Sequence, residues 1–134
     1  MKVTKEDLLN LAADKMKVQD LKKEIEDIKE AAAITAYQYS IAPGGSPSSD
    51  IMADKVDKLI TCKNEWADEQ LRFVEHNRAV IDRITRLRNP YYVVMWKRYM
   101  ENYSWRKIAR SMNYSESAVR KIHARALVLL QAGD

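Results

Sequence analysis

Arg106, Lys107 and Arg110, followed by Ser115, Glu116, Ser117, Arg120 and Lys121, are the residues whose types and spacing could do recognition chemistry. Guanidinium and ammonium groups bind phosphate oxygens and the O6/N7 edge of guanine, while hydroxyls and a carboxylate contact base edges, glutamate preferring cytosine N4. None of these contacts makes or breaks a bond. No nucleophile stands beside a base that would activate it. Acid pairs such as Glu24 and Glu26 with Asp27, or Asp68 with Glu69, alternate with lysines as the solvated faces of helices do. His76 and His123 are far apart and lack companion cysteines, and Cys62 is the single cysteine, which excludes a disulfide framework and a multi-cysteine metal site. The expectation is a binding protein that is not an enzyme and uses no metal and no cofactor.

Charge is distributed unevenly. Residues 88–134 hold nine Lys/Arg against three Asp/Glu, a net of +6, whereas residues 1–87 hold fourteen against sixteen, a net of −2. One end of the chain is therefore suited to a polyanion, and the other serves a different purpose. The plain alternative is that the basic residues form an ordinary solvated face. Confinement of the basic surplus to the segment with the recognition pattern favours a nucleic-acid partner.

Three short helices are expected to position these residues. Pro90 opens the first, "PYYVVMWKRYMEN", which should bury Val93 or Val94, Trp96, Tyr99 and Met100. Ser104 caps "SWRKIARSM" and Ser115 caps "SESAVRKIHARALVLL". The last two satisfy the demands of a helix-turn-helix. Ala109 is the small residue at the crossing, Ile108 and Met112 flank it, and Asn113 tolerates the left-handed geometry of the turn. Tyr114, Val119, Ile122, Ala126 and Leu127 are assigned to the core side. Ser115, Glu116, Ser117, Arg120, Lys121 and Ala124 then face outward at the end of the second helix that enters a major groove. Arg106, Lys107 and Arg110, with Lys97 and Arg98, are placed to grip phosphates, which supplies affinity and salt dependence. Trp96 and Trp105 are assigned to the core.

The chain before this segment reads as two long helices. Leu11, Val18, Leu21, Ile25, Ile28 and Ala32 recur three and four apart in one expected over about residues 5–39. A loop over 41–49 carries two of the three prolines and two of the three glycines. The second helix, over about 50–87 and capped by Ser49 or Asp50, has Met52, Leu59, Trp66, Phe73, Val80 and Leu87 seven apart. Val56, Lys63, Gln70, Asn77 and Ile84 fill the intervening seam. Lys63, Gln70 and Asn77 either meet a partner chain or line a solvated edge. The whole is an all-α protein: a long antiparallel helical hairpin, coiled-coil-like, over 1–88, then a trihelical helix-turn-helix domain over 89–134. A two-helix hairpin alone buries little surface, so a homo-oligomer, most simply a dimer, is expected. No apolar stretch approaches a membrane span or a signal peptide, so no membrane is expected and a cytoplasmic location is.

The segment "YVVMWKRYMENYSWRKIARSMNYSESAVRKIHARALVLL" resembles region 4 of the sigma-70 family, most closely in "SWRKIA" and "SAVRKIHARAL". The resemblance covers about the last 45 residues. It implies binding of double-stranded DNA, with Glu116, Ser117, Arg120 and Lys121 as DNA-reading residues and RNA polymerase as a second partner. That family has basic residues near the start of this helix where Glu116 and Ala118 stand here, so a target other than its −35 element is expected. With the helical extension in front, the chain resembles phage and prophage late-gene transcriptional regulators of the RinA and ArpU kind. Two other readings stand beside this one: a small terminase-like DNA-packaging subunit, and a module that engages RNA polymerase without DNA.

Overall fold

The computed structural model describes residues 2–41, Gly44 and 49–133; the side chain of Ser49, and with it the expected cap there, lies outside the description, as does most of the expected loop 41–49. The described residues form helices and no strand: α1 (Lys5–Ile41), α2 (Ser49–Thr85), α3 (Tyr91–Tyr99), α4 (Trp105–Met112) and α5 (Glu116–Ala132). No helix among them is long and apolar enough to cross a membrane.

Local chemistry fixes the helix ends. Thr4 and Asp7 cap α1 reciprocally: the Thr4 N–H donates to Asp7 Oδ2 at 3.0 Å and the Asp7 N–H to Thr4 Oγ1 at 3.2 Å. The end of α2 falls at Thr85, short of the expected residue 87, and Leu87 instead closes a tight turn through its N–H to Ile84 O at 3.1 Å. Pro90 caps α3 and precedes its first turn.

Two compact units emerge, and they do not follow the boundary expected at Pro90. The first combines Met1–Met16 with Phe73–Asp134 and the second is Lys17–Arg72. The first unit gathers the beginning of α1 and the end of α2 with α3, α4 and α5, and the first two reach α5 and the α3–α4 turn. Val3, fully buried, donates its N–H to Leu130 O at 3.1 Å; Arg83 reaches Leu129 O at 3.4 Å; Asn102 Nδ2 reaches Ala12 O at 3.5 Å. These apolar and backbone contacts draw the start of α1 and the end of α2 into the C-terminal core. Asn77 is buried and not at a solvated edge, its Nδ2 donating to Asp14 Oδ2 at 3.1 Å and Phe73 O at 3.0 Å.

In the second unit Val18, Ile25 and Cys62 are buried, and the Cys62 thiol points to Glu24 Oε1 at 3.7 Å. Burial first, then the carboxylates of Glu24 and Glu65, pushes that thiol up from its ordinary value. The seam is uneven: Met52, Leu59 and Trp66 are half-buried, Lys63 and Val56 are exposed.

Candidate nucleic-acid interface

The recognition residues sit on a core built by α3, α4 and α5. Val94, Ile108, Ala109 and Val119 are its centre, with Tyr103, Trp105, Met112 and Ile122 packed against them. On α3 the buried positions are Val94, Met95 and Tyr99, with Met100 at the cap. Met95 takes the depth expected of Trp96, which is only half-buried and lies 5.7 Å from the Tyr92 ring. On α5 Val119, His123, Ala126 and Leu130 are buried at intervals of four, three and four, one stripe of a helix.

The connection between α4 and α5 is short and fully bonded. Ser104 opens α4 by accepting from the Lys107 N–H at 3.2 Å. Asn113 ends it in the left-handed region at φ 57, ψ 38; the Asn113 N–H donates to Arg110 O at 3.4 Å and the Tyr114 N–H to Ala109 O at 3.0 Å, the pair of bonds of a Schellman end. Ser115 then opens α5, its hydroxyl oxygen accepting from the Ala118 N–H at 3.1 Å. Tyr114, expected on the core side, is 46% exposed. The left-handed step at Asn113 reverses the chain there, so the next side chain faces out and the core is filled from Val119 onward.

Arg106, Lys107, Arg110, Ser115, Glu116, Ser117, Arg120 and Lys121, all assigned to DNA contact, are exposed. Five of them fall into two groups. Arg106, Arg110 and Glu116 line one surface hollow with Ala109, Asn113 and Tyr114. Lys107 and Arg120 lie instead against aromatic rings: Lys107 Nζ is 4.0 Å from the centre of Tyr103, and the Arg120 guanidinium 5.2 Å from that of Trp105. Ser115 is committed through its oxygen to the helix cap. Lys97 and Arg98, assigned to the phosphate grip, are only half-exposed. Lys97 rests over Tyr103 at 5.3 Å, while Arg98 rests over Trp105 at 4.3 Å and donates from Nη1 to Tyr103 O at 3.0 Å. Arg98 thus ties the α3–α4 turn together.

Comparison with protein-family models, with curated proteins and with solved structures gives no match. The functional reading therefore rests on geometry and residue chemistry.

Beneath the interface lies a polar contact that spacing does not reveal. Tyr99 Oη and His123 Nε2 are 2.6 Å apart inside the core, and the His123 and Trp105 rings lie T-shaped, their centres 4.7 Å apart at 77°. Burial first, then the positive charges of Arg98 and Lys5, lowers the imidazole to about 4, and burial raises the Tyr99 phenol. Both groups are therefore neutral near pH 7, and the imidazole tautomer sets which of them donates. The role of Trp105 as a platform for cations is likewise invisible to spacing. Arg98 comes to it from α3 and Arg120 from α5, and only packing brings them to this ring.

Proposed function

We propose that this chain is a sequence-specific, double-stranded DNA-binding transcriptional regulator of phage or prophage type. In this reading α4, the turn at 113–115 and α5 work as a sigma region 4-like helix-turn-helix. The observation that carries it is the two-sidedness of α5 behind a short capped turn. Val119, His123, Ala126 and Leu130 are buried, while Glu116, Ser117, Arg120 and Lys121 are exposed on the first turns. A helix held in this way presents base-reading side chains from its N-terminal half, and cations on the preceding helix, Arg106, Lys107 and Arg110, meet the flanking phosphates.

The helices of the second unit serve as an antiparallel hairpin that brings two copies together. Val56, Ile60 and Leu71 on α2 and Ile34, Tyr37 and Ile41 on α1 are exposed large apolar residues in a unit that buries few, which supports an interface there. No catalytic step is part of the proposal.

The test is selection of bound fragments from randomly sheared genomic DNA of the source, at low and moderate salt, followed by binding of variants to the enriched duplex. A discrete site that survives moderate salt is expected. Arg120→Ala with Lys121→Ala should lower its affinity by about 1–3 kcal/mol for each base that the variant no longer reads, with helicity unchanged. Sequence-blind retention that vanishes with salt, or unchanged affinity in the double variant, would sink the reading; a ring larger than a dimer would turn it toward the packaging subunit.

A further inference from the structure

Resting on the DNA-binding reading, we infer that Trp105 is a positioning residue for Arg120: its ring holds the guanidinium of the reading helix ready for contact with DNA. Trp105 is the first residue of α4, and its indole packs on the core of Val94, Ile108, Ala109 and Val119. Its orientation is fixed from two further sides. His123, bonded to Tyr99 at 2.6 Å, packs against it in a T-shaped arrangement with the ring centres 4.7 Å apart. Arg98, anchored to Tyr103 O, lies 4.3 Å from the ring centre.

Against this fixed ring stands Arg120 of α5, 5.2 Å from the centroid yet exposed to solvent. An aromatic face attracts a guanidinium. Arg98, already on the same ring, repels a second one, so Arg120 is attracted to the indole and kept from folding further over the core. An unrestrained arginine would lose rotamer freedom on docking, and a planar fork reads guanine only when correctly oriented. The ring removes part of that cost in the free protein. Trp105 therefore contributes to discrimination between sequences through Arg120 without touching DNA.

The experiment is a double-mutant cycle on the full chain, read as the affinity ratio between the duplex enriched in the genomic selection and a mixed-sequence duplex. Arg120→Ala should lower that ratio by about 5- to 150-fold. Trp105→Leu should lower it by about two- to fivefold, Trp105→Phe should recover part of the loss, and neither should lower it further in the Arg120→Ala background. In the free protein, ¹⁵N relaxation of the Arg120 Nε–Hε group should show more motion in Trp105→Leu than in Trp105→Phe.

A Trp105→Leu loss of equal size with and without Arg120, an equal loss on both duplexes, or a gain in affinity would overturn the positioning role while leaving the DNA-binding reading in place. An unchanged ratio in Arg120→Ala alone would overturn the reading face, and the positioning role with it. Should Trp105→Leu fail to fold, Trp105→Phe carries the cycle: its weaker ring should give a smaller loss that disappears without Arg120, and additivity there would again overturn the inference.

Discussion

At the scale of single residues, the turn at 113–115 concentrates the conformational demands of the interface. Asn113 holds φ 57, a region that costs a β-branched residue about 1–2 kcal/mol and glycine almost nothing. Asn113→Val should lower the urea midpoint of unfolding, and Asn113→Gly should leave it close to the parent's. Ser115→Ala should cost about 1 kcal/mol in the same measurement, because the Ala118 N–H loses its acceptor. His123 adds a pH dependence with a definite sign. Its folded value of about 4 lies below the ordinary 6.5, so between these values the unfolded chain binds more protons than the folded one. The contribution is fully present above about pH 6.5 and is lost as pH falls toward about 4. Urea titrations across that window should show a shallower decline for His123→Gln, whose amide does not titrate and can still bond Tyr99.

At the scale of elements, α5 buries one face and exposes the other, the one proposed to read DNA, and α4 packs against its buried face. Ile108 is fully buried at the centre of the core. Ile108→Ala should cost about 2–5 kcal/mol and release the reading helix along with the fold, so binding and helicity fall together. That outcome contrasts with the double alanine variant at Arg120 and Lys121, where binding alone falls. Leu8, Leu11 and Ile84 are also fully buried, in the same compact unit as α5, so the start of α1 and the end of α2 share in supporting the domain.

At the scale of the whole molecule, the proposed regulator needs more than one recognition helix, because a single small domain grips DNA weakly. Joining two domains makes the second binding event intramolecular and raises overall affinity by about 10²–10⁴ where the spacing fits. Ile60 and Leu71 are 52% and 61% exposed on α2 and are the residues on which pairing of copies would depend. Ile60→Glu with Leu71→Glu should leave helicity intact, shift sedimentation toward a single copy and lower affinity for a two-half-site duplex toward that for one half-site. Unchanged sedimentation would remove this face from the proposed assembly.

The all-helical class was legible in the sequence because the apolar periodicity at 3.6 residues is a local property that survives any tertiary arrangement. So were the caps at Ser104 and Ser115 and the left-handed turn at Asn113, which depend on the chemistry of a few neighbouring residues. What the tertiary structure decided is which apolar residues are inside. Met95 took the place expected of Trp96, Tyr114 turned outward, and Asn77 was buried against Asp14, since periodicity names a face without saying what covers it. It also decided the state and setting of the charged groups. Burial and the nearby charges of Arg98 and Lys5 make His123 neutral, and Arg98 and Arg120 meet the Trp105 ring only once α3, α4 and α5 are packed, because those contacts join residues on separate helices.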